Sequence, residues 1–395
     1  MAPLSWWPFL VLVFLLGILT RVYPLAAFAM MLLIVSGIAL WWERLALADV
    51  NYARKFHYLR GYPGETIDML VEVENRKFLP LTWLRIQDAL PYAAGPEDET
   101  LLRPTHIPDL GMLISLFSLR WFERDRRSYR LLLRKRGVYR IGPARLESGD
   151  LFGLFEQSRE WETLNYLTVF PEEIPFKSLP LPAENPFGPR PIRKRVYEDP
   201  NLPMGVRDYH PEDEFRRIHW LATAHTGSLQ VKVYQPISAK VLIVCLNAMT
   251  LPHYWEGTDP ALLEYLVKAA ASIAARGLQD GYRVGMVSNS SLAHAGQPFR
   301  VPPGRSPNQL VNLLTALASV TPFVTGTFDR FLIVESPRLP YGATLLILTA
   351  IVNQELSEAL LQMNRRGRSI ILVSFDRQAP PFLPGIATYH SPFEG

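Results

Sequence analysis

The chain has 395 residues, more than one ordinary domain holds, with 48% hydrophobic residues and a formal net charge of +4. So small a charge over this length speaks against a dedicated nucleic-acid binder, which would carry a concentrated basic face. The single cysteine, Cys245, excludes an intramolecular disulfide and fits a reducing compartment.

The apolar residues are concentrated at the start. Leu4 to Thr20 is apolar except for Ser5 and Thr20, and Val22 to Trp42 is a second run broken by Ser36. Roughly 20 apolar helical residues cross a bilayer core, so residues 1–43 are expected to form two transmembrane helices, in contact with lipid through 4–42. Trp6, Trp7, Tyr23, Trp41 and Trp42 stand at the ends of the runs, where amphipathic rings favour the interface. A cleaved signal peptide would need a basic stretch before the first run and a small-residue cleavage site; no Lys or Arg precedes it. Arg44, Arg54, Lys55 and Arg60 follow the second run, against Arg21 between the runs. The positive-inside bias then puts the remainder of the chain in the cytoplasm, on the inner membrane.

Residues 46–175 change to period two. Thr66–Asn75, Trp83–Asp88, Tyr129–Arg134, Val138–Pro143 and Leu164–Phe170 read as strands, which implies an all-β sandwich or small barrel. The arginines of 124–140 fit the solvated face of such strands better than a nucleic-acid or lipid patch. Residues 176–235 form a proline-rich linker that carries an unusual motif. From 236 to 395 the pattern is α/β. Lys240–Leu246, Arg283–Val287, Thr344–Thr349 and Ser369–Phe375 read as buried strands. The helices between them are expected to start at Asp259-Pro260, Ser306-Pro307 and Asn353, with stops at Gly277 and Gly367. This alternation predicts a doubly wound sheet.

The motif runs Gly205 to Lys232. Arg207, Tyr209, Asp213, Arg217, His219 and Trp220 are crowded without periodicity, and Lys232 closes the segment. A histidine beside carboxylates suits general acid–base work, which raises a hydrolase using Asp213, His219 and His225 as an alternative. No Ser or Cys lies in a nucleophile context, however. The favoured reading is a non-catalytic binding or interdomain cluster, with Arg207 or Arg217 paired to Asp213 in bidentate fashion and Trp220 covering the pair in the core.

These residues resemble a bacterial membrane protein family catalogued as domain of unknown function 58. Its signature is R-x-Y-x-P-G-D-x-x-R-x-I-H-W-x-x-(S/T)-A-R, then V-K. Arg207, Tyr209, Pro211, Asp213, Arg217, Ile218, His219, Trp220, Thr223, Ala224, Val231 and Lys232 match it, while Glu212 and His225 depart. Asp150 to Phe155 is similar to the family's D-P-F-G-L-F segment, with Leu151 for Pro. The resemblance implies a C-terminal von Willebrand factor type A-like part and pairing with a MoxR-type AAA+ ATPase in the assembly or maturation of client proteins. The chain would then be a scaffold or adaptor, not an enzyme. Type A domains often hold Mg²⁺ in a D-x-S-x-S loop. Here Asn247 stands for the Asp and Met249 for a Ser, so Asn247, Thr250 and Thr349 make a degenerate loop of neutral ligands. Mg²⁺ favours at least one carboxylate, so no metal and no other cofactor is expected. A metal-dependent adhesion-type module is the other alternative.

Overall fold

The computed structural model describes residues 6–150, 156–182, 186–187, 198–211, 213–236, 240–293 and 298–393. They form two units, Met1–Glu172 and Glu173–Gly395. Glu212 and the stretch Leu151 to Phe155, both used in the sequence comparison, lie outside the described residues.

The first unit opens with helices Trp7–Leu19 and Tyr23–Ala46. Among the described residues, only Tyr23–Ala46 is long and apolar enough to cross a membrane. Its 24 residues span about 36 Å, whereas the 13 residues of Trp7–Leu19 reach only about 20 Å of a roughly 30 Å core. The expectation of two full crossings is therefore reduced to one helix of sufficient length. The turn residues Thr20 to Val22 shorten the first run from its C-terminal side, with Arg21 at φ +58°.

An antiparallel sandwich follows. One sheet has the order Val50–Phe56, Thr66–Asn75, Arg124–Leu133, Ala94–Pro96; the other runs Glu156–Trp161, Ala144–Gly149, Leu81–Pro91, Leu110–Leu119, Leu102–Pro104. A small third sheet joins Arg60–Gly61, Asn165–Val169 and Gly137–Ile141. Period-two alternation builds the core. Ile67, Met69, Val71 and Val73 from one sheet meet Leu84, Ile86, Leu90, Leu113 and Phe117 from the other in a single cluster. The outer face of Thr66–Asn75 carries cross-strand ion pairs: Glu72 with Lys55 (3.1 Å) and Arg126 (2.9 Å), and Glu74 with Arg124 (2.9 Å). Those arginines are thus neutralised by register partners.

Two charges break the apolar interior. Arg54 follows Val50 and Tyr52 on the inward face of its strand, and Asp88 lies between Ile86 and Leu90 on the inward face of Leu81–Pro91. They meet across the two sheets, Arg54 Nη1 to Asp88 Oδ1 at 3.0 Å, with both side chains at most 1% exposed. The Tyr52 hydroxyl donates to Asp88 Oδ2, and Arg54 Nη2 donates to the Thr163 carbonyl. Burial pushes the Asp88 carboxyl upward, while the Arg54 guanidinium and the Tyr52 hydroxyl pull it back. Gly142 makes room: at φ +94°, its Cβ would fall 2.5 Å from Arg54 Nη2.

The second unit centres on a mixed sheet. Numbered in chain order, its parallel strands are Val241–Leu246, Arg283–Leu292, Thr344–Thr349, Ser369–Ser374 and Ala387–His390, arranged 2-1-3-4-5. Pro298–Gly304 adds an antiparallel edge and Val320–Val324 also pairs antiparallel, strands that the expected alternation of buried strands and helices does not include. Beyond the strand read at Ser369–Phe375, Ala387–His390 adds one more parallel strand. Helices cover both faces. Ile243, Cys245, Leu345, Ile347, Ile370 and Leu372 pack with helices Phe328–Glu335 and Gln354–Arg365. On the opposite face, helix Pro260–Gln279 sits against Leu242 and Val284.

Asp259 caps that helix by accepting from Ala261 and Leu262 N–H, and Asn353 caps Gln354–Arg365 through Leu356 N–H. Two expected boundaries are corrected. Gly277 is interior to its helix; its missing side chain allows close packing, since a Cβ would lie 2.9 Å from Leu242. Ser306-Pro307 does not cap; the helix is Gln309–Ala318 with Asn308 before it. The segment expected as linker is also ordered where it is described: Glu198–Asp208 pairs antiparallel with Gln230–Pro236.

Candidate functional site

The motif residues fold as a small module. The Glu198–Asp208 and Gln230–Pro236 strands are joined by a turn and the short helix Trp220–Thr226. Arg207 is the arginine that grips Asp213: Nη1 donates to Oδ2 at 2.7 Å and Nη2 to Oδ1 at 2.6 Å. The His210 N–H adds a third bond to Asp213 Oδ2 at 2.9 Å. The Arg207 hydrogen bond, then the His210 amide, holds the Asp213 carboxyl below its ordinary range, and Asp213 raises Arg207 in turn. A bidentate clasp over a tight turn explains why these residue types sit at this short spacing.

His219 is the N-cap of the helix. Its Nδ1 accepts from Ala222 N–H at 3.0 Å, and its own N–H donates to the Gln230 carbonyl at 2.7 Å. Nδ1 is therefore the unprotonated nitrogen. Ile218 and Val231 are buried and bridge each other across the module. Tyr209 stacks obliquely on Phe215 at 5.9 Å, and Lys232 lies in register with Val206. Gln230, not singled out from the sequence, ties Asp208 (2.6 Å), Ser228 and Thr223 together.

Two expectations change. Trp220 does not cover the clasp in the core; it is 68% exposed, and Leu221 and Phe215 are 69% and 73% exposed. Trp220 and Leu221 project outward from the first helical turn, and Phe215 from the short 3-10 turn Phe215–Arg217 before it, while Ile218 takes the inward position. His225 is exposed near the helix end, and no hydrogen bond among the described residues links Asp213, His219 and His225 into a relay.

The second constellation lies at the carboxyl ends of the parallel strands. In an order of 2-1-3-4-5 the topological switch point falls between strands 1 and 3, where open α/β sheets bind their ligands. Asn247 follows strand 1 and Thr349 ends strand 3. Asn247 Nδ2 donates to Thr349 Oγ1 at 2.9 Å, and its Oδ1 accepts from Met249 N–H and from Asn289 Nδ2. Asn289 Oδ1 in turn accepts from Ala248 N–H at 2.9 Å. All three side chains are buried. Thr250 turns to a different partner: its hydroxyl accepts from the Asp259 N–H at the start of helix Pro260–Gln279. Asn289 escapes a reading of the sequence alone; the polar run Ser288-Asn289-Ser290 ending an apolar strand is its signal. Among the described residues, no group of three or more His, Cys, Asp or Glu is placed to hold a metal ion.

The chain is 24% identical over 246 residues to "Uncharacterized protein YeaD" of Bacillus subtilis (strain 168), a match covering 61% of this chain and 56% of that relative. The chain thus spans little more than half the length of that protein. Among solved structures it is similar to the CARDB domain of the PF1109 protein of Pyrococcus furiosus (11% identical, 31% of this chain, 92% of that one, TM-score 0.22). It is also similar to PapD-like domain 7 of human CEP192 (18% identical, 32% of this chain, 87% of that one, TM-score 0.20). Scores this low establish no shared fold. Residues 205–378, from the clasp module through the strand-end network, match the family described as Protein of unknown function DUF58.

Proposed function

We propose that this chain is a membrane-anchored, non-enzymatic adaptor that presents the clasp module and a type A-like α/β unit to a cytoplasmic partner. The partner is an AAA+ ATPase of the MoxR type, acting in the assembly or maturation of other proteins. The observation that carries the reading is the exposure of Trp220, Leu221 and Phe215 beside the Arg207–Asp213 clasp. Aromatic and apolar anchors next to an arginine are the composition of a protein docking hot spot. The groups that a hydrolase would need are committed elsewhere, Asp213 to Arg207 and His219 Nδ1 to a helix amide.

Anchoring rests on Tyr23–Ala46, with Trp7–Leu19 packed beside it as a partial second crossing. Cytoplasmic orientation rests on Arg44, Arg54, Lys55 and Arg60, which act on the chain as it inserts, before Arg54 enters its buried pair. The full chain should be crosslinked in native membranes and captured with its partners. Capture of an AAA+ ATPase should drop at least tenfold for Trp220→Ala with Leu221→Ala, and stay unchanged for Phe382→Ala, an exposed residue elsewhere. Equal capture by both variants would refute the docking role of the module.

A further inference from the structure

The loops at the end of the β-sandwich where the membrane helix enters carry an aromatic patch. Phe78, Trp121 and Phe122 are 74%, 57% and 64% exposed. Their rings associate with one another: Phe78 stacks on Trp121 at 5.5 Å, and Phe122 meets Phe78 edge-on at 6.3 Å. Nothing in the sandwich core requires this. Such grouping of large apolar rings in water is unfavourable unless a partner covers them. Phe122 is moreover held at φ +55°, a conformation that a bulky side chain rarely adopts.

The place of the patch is set by hydrogen bonds to the end of the helix. Lys77, the residue before Phe78, donates from Nζ to the carbonyls of Ala46 and Ala48, each at 2.8 Å. Arg76 N–H donates to the Asp49 carbonyl at 2.9 Å, and Phe122 N–H to the Lys77 carbonyl at 3.3 Å. Asn75 Nδ2 donates to both the Leu79 and Arg120 carbonyls at 2.9 Å, which locks the two loops together. Leu47, which follows the helix directly, is buried in the sandwich core, so helix end and loops belong to one packed body. The helix exceeds the hydrocarbon thickness by about one turn, and Trp41 is exposed near its C-terminal end. Its last turn, and the loops tied to it, therefore fall at headgroup depth.

We infer that Phe78, Trp121 and Phe122 form a second, non-spanning membrane contact that seats the β-sandwich on the lipid headgroup layer. Aromatic rings are favoured at that depth. The helix alone would leave the soluble part free to tilt; the patch adds a lateral foothold. This rests on the reading of Tyr23–Ala46 as a membrane anchor.

The test uses the full chain in phosphatidylcholine vesicles, with a nitroxide label on a cysteine introduced at one of three sites. Cys245 is fully buried and its thiol is pushed up by desolvation, so it stays unlabelled. Met30→Cys reports the helix. Phe122→Cys reports the patch. Tyr58→Cys reports an exposed site beyond the far end of strand Val50–Phe56. Labels at 30 and 122 should be relaxed more by oxygen than by a water-soluble nickel chelate, and the label at 58 the reverse. Adding Phe78→Ser and Trp121→Ser should return the label at 122 to water. In the unlabelled chain, Trp121→Phe should remove a distinct share of the fluorescence quenching by lipids brominated near the headgroup, a readout that leaves Phe122 in place. A label at 122 as wet as that at 58, with the one at 30 in lipid, overturns the foothold and leaves the anchor standing. A label at 30 in water overturns both.

Discussion

Replacing Asp88 by Ala should be among the most damaging single substitutions in the first unit. Arg54 and Asp88 are at most 1% exposed, so the substitution leaves a guanidinium in the core whose remaining hydrogen-bond acceptor among the described residues is the Thr163 carbonyl. It also strips the Tyr52 hydroxyl of its acceptor. Removing one partner of a buried pair costs about 3–5 kcal/mol, and an orphaned buried hydroxyl about 1–3 kcal/mol. The two overlap, because both groups share one carboxylate, and the expected loss is about 4 kcal/mol. Replacing both ends, Arg54→Met with Asp88→Leu, removes the uncompensated charge and should recover that part of the loss, leaving the cost of the orphaned Tyr52 hydroxyl, about 1–3 kcal/mol. Hydrogen exchange on the full chain in detergent measures this locally, through peptides covering Val50–Phe56 and Leu81–Pro91, so the unfolding of the second unit does not intrude. Protection in both peptides should collapse for Asp88→Ala and return in part in the double variant. Loss of less than about 1 kcal/mol for Asp88→Ala, a value typical of exposed pairs, would refute the reasoning.

Asn289→Ala should cost about 1–3 kcal/mol by leaving the buried Ala248 N–H without its acceptor, read from exchange in Val241–Leu246 and Thr344–Thr349; unchanged protection would mean that water replaces the side chain. Burial draws the Lys77 ammonium down to about 8, with Asp49 opposing. Because the folded state then binds fewer protons than the unfolded chain between about 8 and the ordinary value near 10.4, the unit should gain stability as pH rises through that window. Quantitative acetylation of Lys77 against pH should have its midpoint near 8; a midpoint at the ordinary lysine value would show the helix-end carbonyls hold the charge. The depressed Asp213 carboxyl implies that the clasp contributes fully above the unfolded pKa near 3.9 and fades as pH falls through the lower folded value. Amide protection in the module should therefore weaken at acid pH in the wild type, and this dependence should be absent in Asp213→Asn.

Local chemistry made much of this chain legible. Alternation in Thr66–Asn75 and the continuous apolar run of Thr344–Thr349 reproduce those strands to the residue, because side-chain period and burial follow from backbone geometry alone. Asp259 and Asn353 declared their helix starts, since a cap needs only its own next turn. The pairing of an arginine with Asp213 was likewise open to inference within a dozen residues.

What the tertiary structure decided involves partners distant in sequence. Arg54 and Asp88 occupy inward positions of two strands, and either alone reads as a misplaced surface charge; only the packing of one sheet on the other brings them together. Trp220 looked like core because it is large and apolar, yet Ile218 takes the inward place two residues earlier and the short helix turns the indole outward. Gly277 resembled a helix stop, and only the approach of Leu242 and Val284 shows it as a packing contact. The edge strand Pro298–Gly304 carries prolines that mask its pattern, and its pairing with Arg283–Leu292 became visible only in the assembled sheet. Sequence periodicity reports which face of an element is apolar; which element covers that face depends on long-range contacts that no local pattern encodes.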